Sequence, residues 1–169
     1  FTSGTCPASG TVTIRPVSGA ISLSITSSSP AGTLNFDGGD NYIIDGRPGG
    51  TGTTSQLTIN NTSTSGYTAQ FVNNATNNTI RYCTINGVNT GTSSGVVFFS
   101  NAVGFTAGNS NNLIDNCDLG AGASTPTNLV YSSGNTTDYA SGNNNNTISN
   151  SKLHDWFNAS NTDRKSTRL

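Results

Sequence analysis

The stretch Asn77-Asn78-Thr79-Ile80-Arg81-Tyr82-Cys83-Thr84-Ile85 returns 34 residues later as Asn111-Asn112-Leu113-Ile114-Asp115-Asn116-Cys117-Asp118-Leu119. After a further 34 it returns as Asn145-Asn146-Thr147-Ile148-Ser149-Asn150-Ser151-Lys152-Leu153. A second segment precedes each copy: Ala69-Gln70-Phe71-Val72, then Val96-Val97-Phe98-Phe99, then Leu129-Val130-Tyr131-Ser132. An earlier, degenerate copy reads Asn35-Phe36, Asp40-Asn41-Tyr42-Ile43 and Leu57-Thr58-Ile59, with the Gly-rich run Gly46–Ser55 where the later copies have a tight turn. Self-similarity at a fixed period is the signature of a repeat architecture, in which each unit buries its apolar face only against its neighbours.

Two-helix repeats share this period, but the recurring residues here are β-branched or Asn rather than Ala and Leu at helical spacing. Within each copy the apolar positions fall at i, i+3 and i+5: Ile80, Cys83, Ile85, and then Ile114, Cys117, Leu119. Plain strand alternation would give i, i+2 and i+4. The extra residue marks a bend between two short strands and places Tyr82, Asn116 and Asn150 at a corner, where Asn tolerates the left-handed backbone. Short strands, sharp corners and a constant period predict an all-β chain wound into a solenoid of parallel sheets, with about four coils visible. Right-handed winding follows from the bias of parallel crossovers.

In-register stacking makes further predictions. Ile80, Ile114 and Ile148 form one internal column and Ile85, Leu119 and Leu153 another, each residue contributing about 1.5–3 kcal/mol when fully buried. The Asn pairs 77–78, 111–112 and 145–146 stack as side-chain amide ladders. Cys83 and Cys117 share an inward position on adjacent coils, about 4.8 Å apart, with Ser151 next in line. Their side chains run parallel, which favours buried free thiols over a disulfide.

Composition agrees. Asn, Thr, Ser and Gly make up 93 of the 169 residues, and charged residues only 9%, against about 25% in an ordinary domain. These four types are poor helix formers. The net charge of −1 offers no basic face for nucleic acid. No apolar run approaches the roughly 20 residues of a membrane span. Three cysteines make no disulfide framework, and no Cys/His spacing suggests zinc. One domain is expected at this length: strands leading into the solenoid over 1–33 and the solenoid itself over 34–162. Residues 163–169 (Asp-Arg-Lys-Ser-Thr-Arg-Leu) hold three of the seven basic residues. They read as the in-frame translation of a sequencing adapter, with a basic terminal tail as the alternative, and the domain is expected to be a fragment.

The Asn-Asn-x-Ile-x-x-[Cys/Ser]-x-[Ile/Leu] copies and the Tyr42-Ile43-Ile44-Asp45-Gly46 segment resemble the right-handed parallel β-helix proteins of the pectate-lyase-like superfamily. In particular they resemble the β-helix segments of large secreted bacterial surface proteins. The resemblance covers about residues 34 to 153. It implies the fold and, for the lyases of this superfamily, an Arg or Lys base beside a calcium-binding Asp cluster.

The few charges are the candidates for chemistry. Arg81 with Asp115, and Asp118 with Lys152, occupy matching outward positions on neighbouring coils and are expected to form cross-coil salt bridges worth only about 0.2–1 kcal/mol each. Asp37, Asp40 and Asp45 lie close together on Gly- and Asn-rich sequence with Arg47 beyond them. Their oxygens could take calcium, although Asp-Gly and Asp-Asn are equally turn chemistry. This loop is the candidate ligand site. His154-Asp155-Trp156-Phe157 is expected to cover the end of the core, and Asn161-Thr162-Asp163 imitates one polygalacturonase motif without its companions. No catalytic residue is assigned. The expectation is a non-catalytic segment of a secreted or cell-surface bacterial protein in adhesion, as a stalk, or in binding polysaccharide or a cell-surface glycan. The alternative is a piece of a polysaccharide lyase or glycoside hydrolase whose catalytic coils lie elsewhere.

Overall fold

The structure, a computed structural model, describes residues 1–2, 10–100, 108–135, 138, 141–159 and 167–168. Strands β1 (Val12–Ile14), β4 (Tyr42–Asp45), β7 (Thr79–Arg81), β10 (Leu113–Asp115) and β13 (Thr147–Ser149) stack as the first sheet. The second holds β2 (Leu23–Ser27), β5 (Leu57–Asn61), β8 (Thr84–Gly87), β11 (Asp118–Ala121) and β14 (Lys152–Leu153). The third holds β3 (Gly32–Asp37), β6 (Tyr67–Val72), β9 (Val97–Phe99) and β12 (Val130–Ser132). Every pairing among these strands is parallel. The chain visits the three sheets in rotation, so it is a parallel β-solenoid of about four turns. Thr167–Arg168 (β15) adds to β14 in the antiparallel sense.

The register is the one the 34-residue period predicts. Ile80, Ile114 and Ile148 pair across β7, β10 and β13, and Ile44 extends the column by one coil. Ile59, Ile85, Leu119 and Leu153 form the second column. A third column is aromatic. Phe36, Phe71 and Phe99 stack with ring centroids 4.8 and 4.7 Å apart, the spacing of the coils themselves. The rings therefore stay parallel because the backbone holds them at van der Waals separation. Ile80, Ile85, Ile114 and Leu119 are fully buried, and Trp156 packs against the far end of the core.

The amide ladder forms from the second Asn of each pair. Asn78 donates through both its backbone N and its Nδ2 to Asn112 Oδ1, each at 3.0 Å, and Asn112 repeats both bonds to Asn146. Asn112 Nδ2 also reaches Ala75 O at 3.0 Å. The first Asn of each pair does something else. Asn77, Asn111 and Asn145 carry φ of 56°, 60° and 56°, so their role is to turn the chain from the third sheet into the first. The pair expected as a double ladder divides into one residue that bends and one that bonds. Buried amides in contact satisfy donors that would otherwise be lost from water.

Candidate functional site

The turn from the first sheet into the second is made by one residue per coil: Tyr82, Asn116 and Asn150, with φ of 50°, 52° and 48°. Gly46 precedes them in the same column, its N donating to Arg81 O at 2.9 Å. A Cβ there would lie 1.8 Å from Tyr82 O, so the Asp45-Gly46 step is set by the coil packed beneath it. From Gly46 the chain leaves the solenoid as a Gly-rich loop and rejoins it where Gln56 N donates to Gly46 O at 2.9 Å. The loop therefore stands out from this corner, above Tyr82.

Arg47 folds back from the loop. Its Nε and Nη2 donate to the two oxygens of Asp45 at 2.9 and 2.7 Å, a bidentate pairing suited to guanidinium geometry. The guanidinium lies 4.3 Å from the centroid of the Tyr82 ring, within cation–π range. Arg81 Nε donates to the second Asp45 oxygen at 3.0 Å. Burial opposes ionisation of the Asp45 carboxyl, but the Arg47 hydrogen bonds and the Arg81 charge outweigh it and hold its pKa below the usual value. The same contact raises that of Arg47.

The expected Arg81–Asp115 bridge is not what forms. An outward residue in a parallel stack has a neighbour on each side, and Arg81 takes the earlier one, where the fully buried Asp45 carboxylate most needs charge. Asp115 accepts instead from Ser149 Oγ at 2.7 Å, Asn150 Nδ2 at 2.9 Å and Asn116 Nδ2 at 2.7 Å. Burial raises its pKa, but these bonds bring it below the ordinary value. Asp118 does meet Lys152, Oδ2 to Nζ at 3.8 Å. Its other oxygen takes His154 Nε2 at 2.5 Å, while His154 Nδ1 meets Asp155 Oδ2 at 2.7 Å.

Between the loop and the corner runs an open groove of about 540 Å³. Tyr82, Asn116 and Asn150 line it at coil spacing, Thr53 and Ser55 enter from the loop, and Asp118 and Lys152 from the second sheet. Cys83 and Cys117 lie inward of it as buried free thiols. The neighbouring Cys117 thiol, together with burial, pushes the Cys83 pKa far up and keeps it protonated, and its Sγ donates to Arg81 O at 3.2 Å.

Of the four residues marked by the sequence, only Asp45 and Arg47 belong to this corner. Asp37 and Asp40 precede β4 and Asp45 ends it, a separation of roughly 10 Å along the strand. Each of the first two is bonded to the next coil: Asp37 Oδ1 accepts from Asn73 Nδ2 at 2.5 Å, and Asp40 Oδ1 accepts from Thr76 N and Oγ1 at 2.8 Å. Among the described residues, no three of His, Cys, Asp and Glu converge as a metal-binding group. The groove residues Tyr82, Asn116 and Asn150 were legible as a corner but not as a lining. The signal was their identical phase in the repeat, next to the coil carrying the Gly46–Ser55 insertion. Cys6 and the Asn161-Thr162-Asp163 segment fall outside the described residues. No helix is long and apolar enough to cross a membrane among the described residues. Compared with the models of known protein families, with curated proteins and with solved structures, the chain matches none of them.

Proposed function

We propose that this chain is a non-catalytic solenoid segment of a secreted or cell-surface bacterial protein, and that it binds polysaccharide in the corner groove. The observation that carries the reading is the lining. One aromatic ring, two primary amides and two hydroxyls stand in an open channel, and extended sugar chains are recognised by such groups: a face for the pyranose ring, and donors and acceptors for its hydroxyls. The Tyr82 ring is held by Arg47 on one face, so it needs little ordering on binding. The acids beside the groove are committed: Asp45 to Arg47 and Arg81, Asp115 to Ser149, Asn116 and Asn150, and Asp118 to Lys152 and His154. This supports binding over general acid–base work. The pectate-lyase-like ancestry suggested by the repeat is part of the same proposal.

Tyr82→Asn tests it, because Asn already occupies this corner in the next two coils. The substitution keeps the left-handed turn and removes the ring. Gel affinity electrophoresis against neutral and uronate-containing polysaccharides should show at least one polymer retarding the wild-type chain. Y82N should lose most of that retardation, with its thermal transition nearly unchanged. Retardation equal in both proteins, or in neither, would overturn the groove assignment. New reducing or unsaturated chain ends released from a bound polymer would favour the lyase or hydrolase reading.

A further inference from the structure

The two buried thiols at the corner are stacked in register. Cys83 and Cys117 sit between paired strands offset by the same interval on both sides, Arg81 with Asp115 and Thr84 with Asp118. They are therefore opposite each other on adjacent coils, at the parallel-strand spacing of about 4.8 Å. Their side chains share one orientation. Cys83 Sγ donates to Arg81 O at 3.2 Å, and Cys117 Sγ to Asp115 O at 3.4 Å. Ser151 repeats the arrangement one coil later, its Oγ donating to Ser149 O at 2.7 Å. Cys117 Sγ also lies 3.6 Å from Ile80 O, a carbonyl of the Cys83 coil, so it leans toward its neighbour.

Parallel side chains at this spacing are badly placed for a disulfide, whose Cβ atoms approach to about 3.8 Å. They are well placed to share one ion. Two metal–thiolate bonds of about 2.3 Å each span roughly 4.6 Å in a line, close to the coil spacing. The ligand set stops at two. Among the described residues no three of His, Cys, Asp and Glu converge, and the Ser151 hydroxyl is occupied by Cys117 N and Ser149 O. Structural zinc takes four ligands, whereas soft thiolates select Cu(I). Both cysteines border the open groove, which gives an ion its way in. On the preceding coil stands Gly46, where an added Cβ would crowd Cys83 Sγ at 3.2 Å.

Charge agrees with a monovalent ion. Two thiolates and one Cu(I) leave a single net negative charge. The adjoining Arg47, Arg81 and Asp45 leave a single net positive one. We infer that Cys83 and Cys117 form a binding site for one soft, two-coordinate cation, Cu(I), held between their sulfurs at the base of the groove. Binding involves no electron transfer. Each thiol gives its proton to solvent, and two S–H bonds are replaced by two S–Cu bonds. The site is independent of glycan recognition, which uses the ring, amides and hydroxyls of the groove.

The test is an anaerobic titration of the Cys6→Ser chain with Cu(I) in competition with a colorimetric Cu(I) chelator. One ion should bind per chain, with release of about two protons at pH 7. X-ray absorption at the copper edge should show two sulfur neighbours and no other ligand, and equimolar Zn(II) should not compete. Cys117→Ser places in the column the residue that already stands there one coil later, so its thermal transition should stay close to the parent's. It should bind Cu(I) at least about a hundredfold more weakly, more than the loss of an outer-shell partner costs. A parent chain that leaves Cu(I) with the chelator, or a C117S chain that binds as tightly as the parent, would overturn the site. Three or more ligands around the copper, or displacement by Zn(II), would overturn its two-coordinate character.

Discussion

At the scale of single residues, Asp45 shows how one carboxylate can be fixed by its neighbours rather than by its strand. It is fully buried, and Arg47 and Arg81 both hydrogen-bond to it. Removing its charge leaves two guanidinium groups facing a neutral amide. Asp45→Asn is expected to cost about 1.5–3 kcal/mol at pH 7, the usual worth of hydrogen bonds to a charged group, measured by urea denaturation. The pH dependence has a definite sign. The folded-state pKa is lowered, so the advantage of the wild type is fully present above the unfolded value of about 3.9. It shrinks as pH falls through the lower, folded-state value. Wild-type and D45N stabilities measured at pH 7 and pH 3 should therefore converge at the acid end. A gap that widened there would assign the stabilisation to packing instead. Sequence spacing placed Asp45 and Arg47 near each other correctly, but grouped them with Asp37 and Asp40 because nearness along a chain was read as nearness in space. The four residues of β4 carry Asp45 from one corner of the solenoid to the next.

At the scale of elements, the corner and the ladder are two uses of adjacent asparagines. Asn111 has φ of 60° and an exposed side chain. Asn112 is buried and joins the backbone and side chain of Asn78 to Asn146. Asn111→Gly keeps the turn and should change stability by no more than a few tenths of a kcal/mol, since glycine adopts this conformation freely. Asn112→Ala strands the Asn78 donors and Ala75 O in the interior, and should cost about 2–4 kcal/mol. Urea denaturation of the two variants side by side measures the difference, and similar losses would mean that the ladder contributes no more than the turn. The doubled Asn at a fixed period predicts stacked amides, whereas the turn made by its first member is seen only in the structure, the predicted corner being that of Tyr82, Asn116 and Asn150. Which Asn did which depended on the backbone sign at one residue, and single-sequence pattern does not carry that. The aromatic column went unread for a related reason: Phe36, Phe71 and Phe99 are separated by unequal spacings, so they align only once the loops are excised.

At the scale of the whole molecule, stability is a sum over neighbouring coils rather than a single shared core, and position along the stack sets the effect of a change. Ile114 sits in the fully buried central column between Ile80 and Ile148, with a coil above and below. Ile148 occupies the same column in the final turn and is only partly buried. An aspartate at either position puts a carboxylate in a column lined by isoleucines, where an unpaired charge is costly, but the last turn can open locally and hydrate it. Ile148→Asp should therefore lose hydrogen-exchange protection in β13 and β14 while leaving β4 to β9 folded. Ile114→Asp has no such escape, since opening its coil separates the turns before it from those after it. Loss of protection should spread through β7, β8, β10 and β11, with a collapse of the cooperative urea transition. Equal damage from the two substitutions would show that the chain folds as one indivisible unit, and nearest-neighbour coupling would then not describe it.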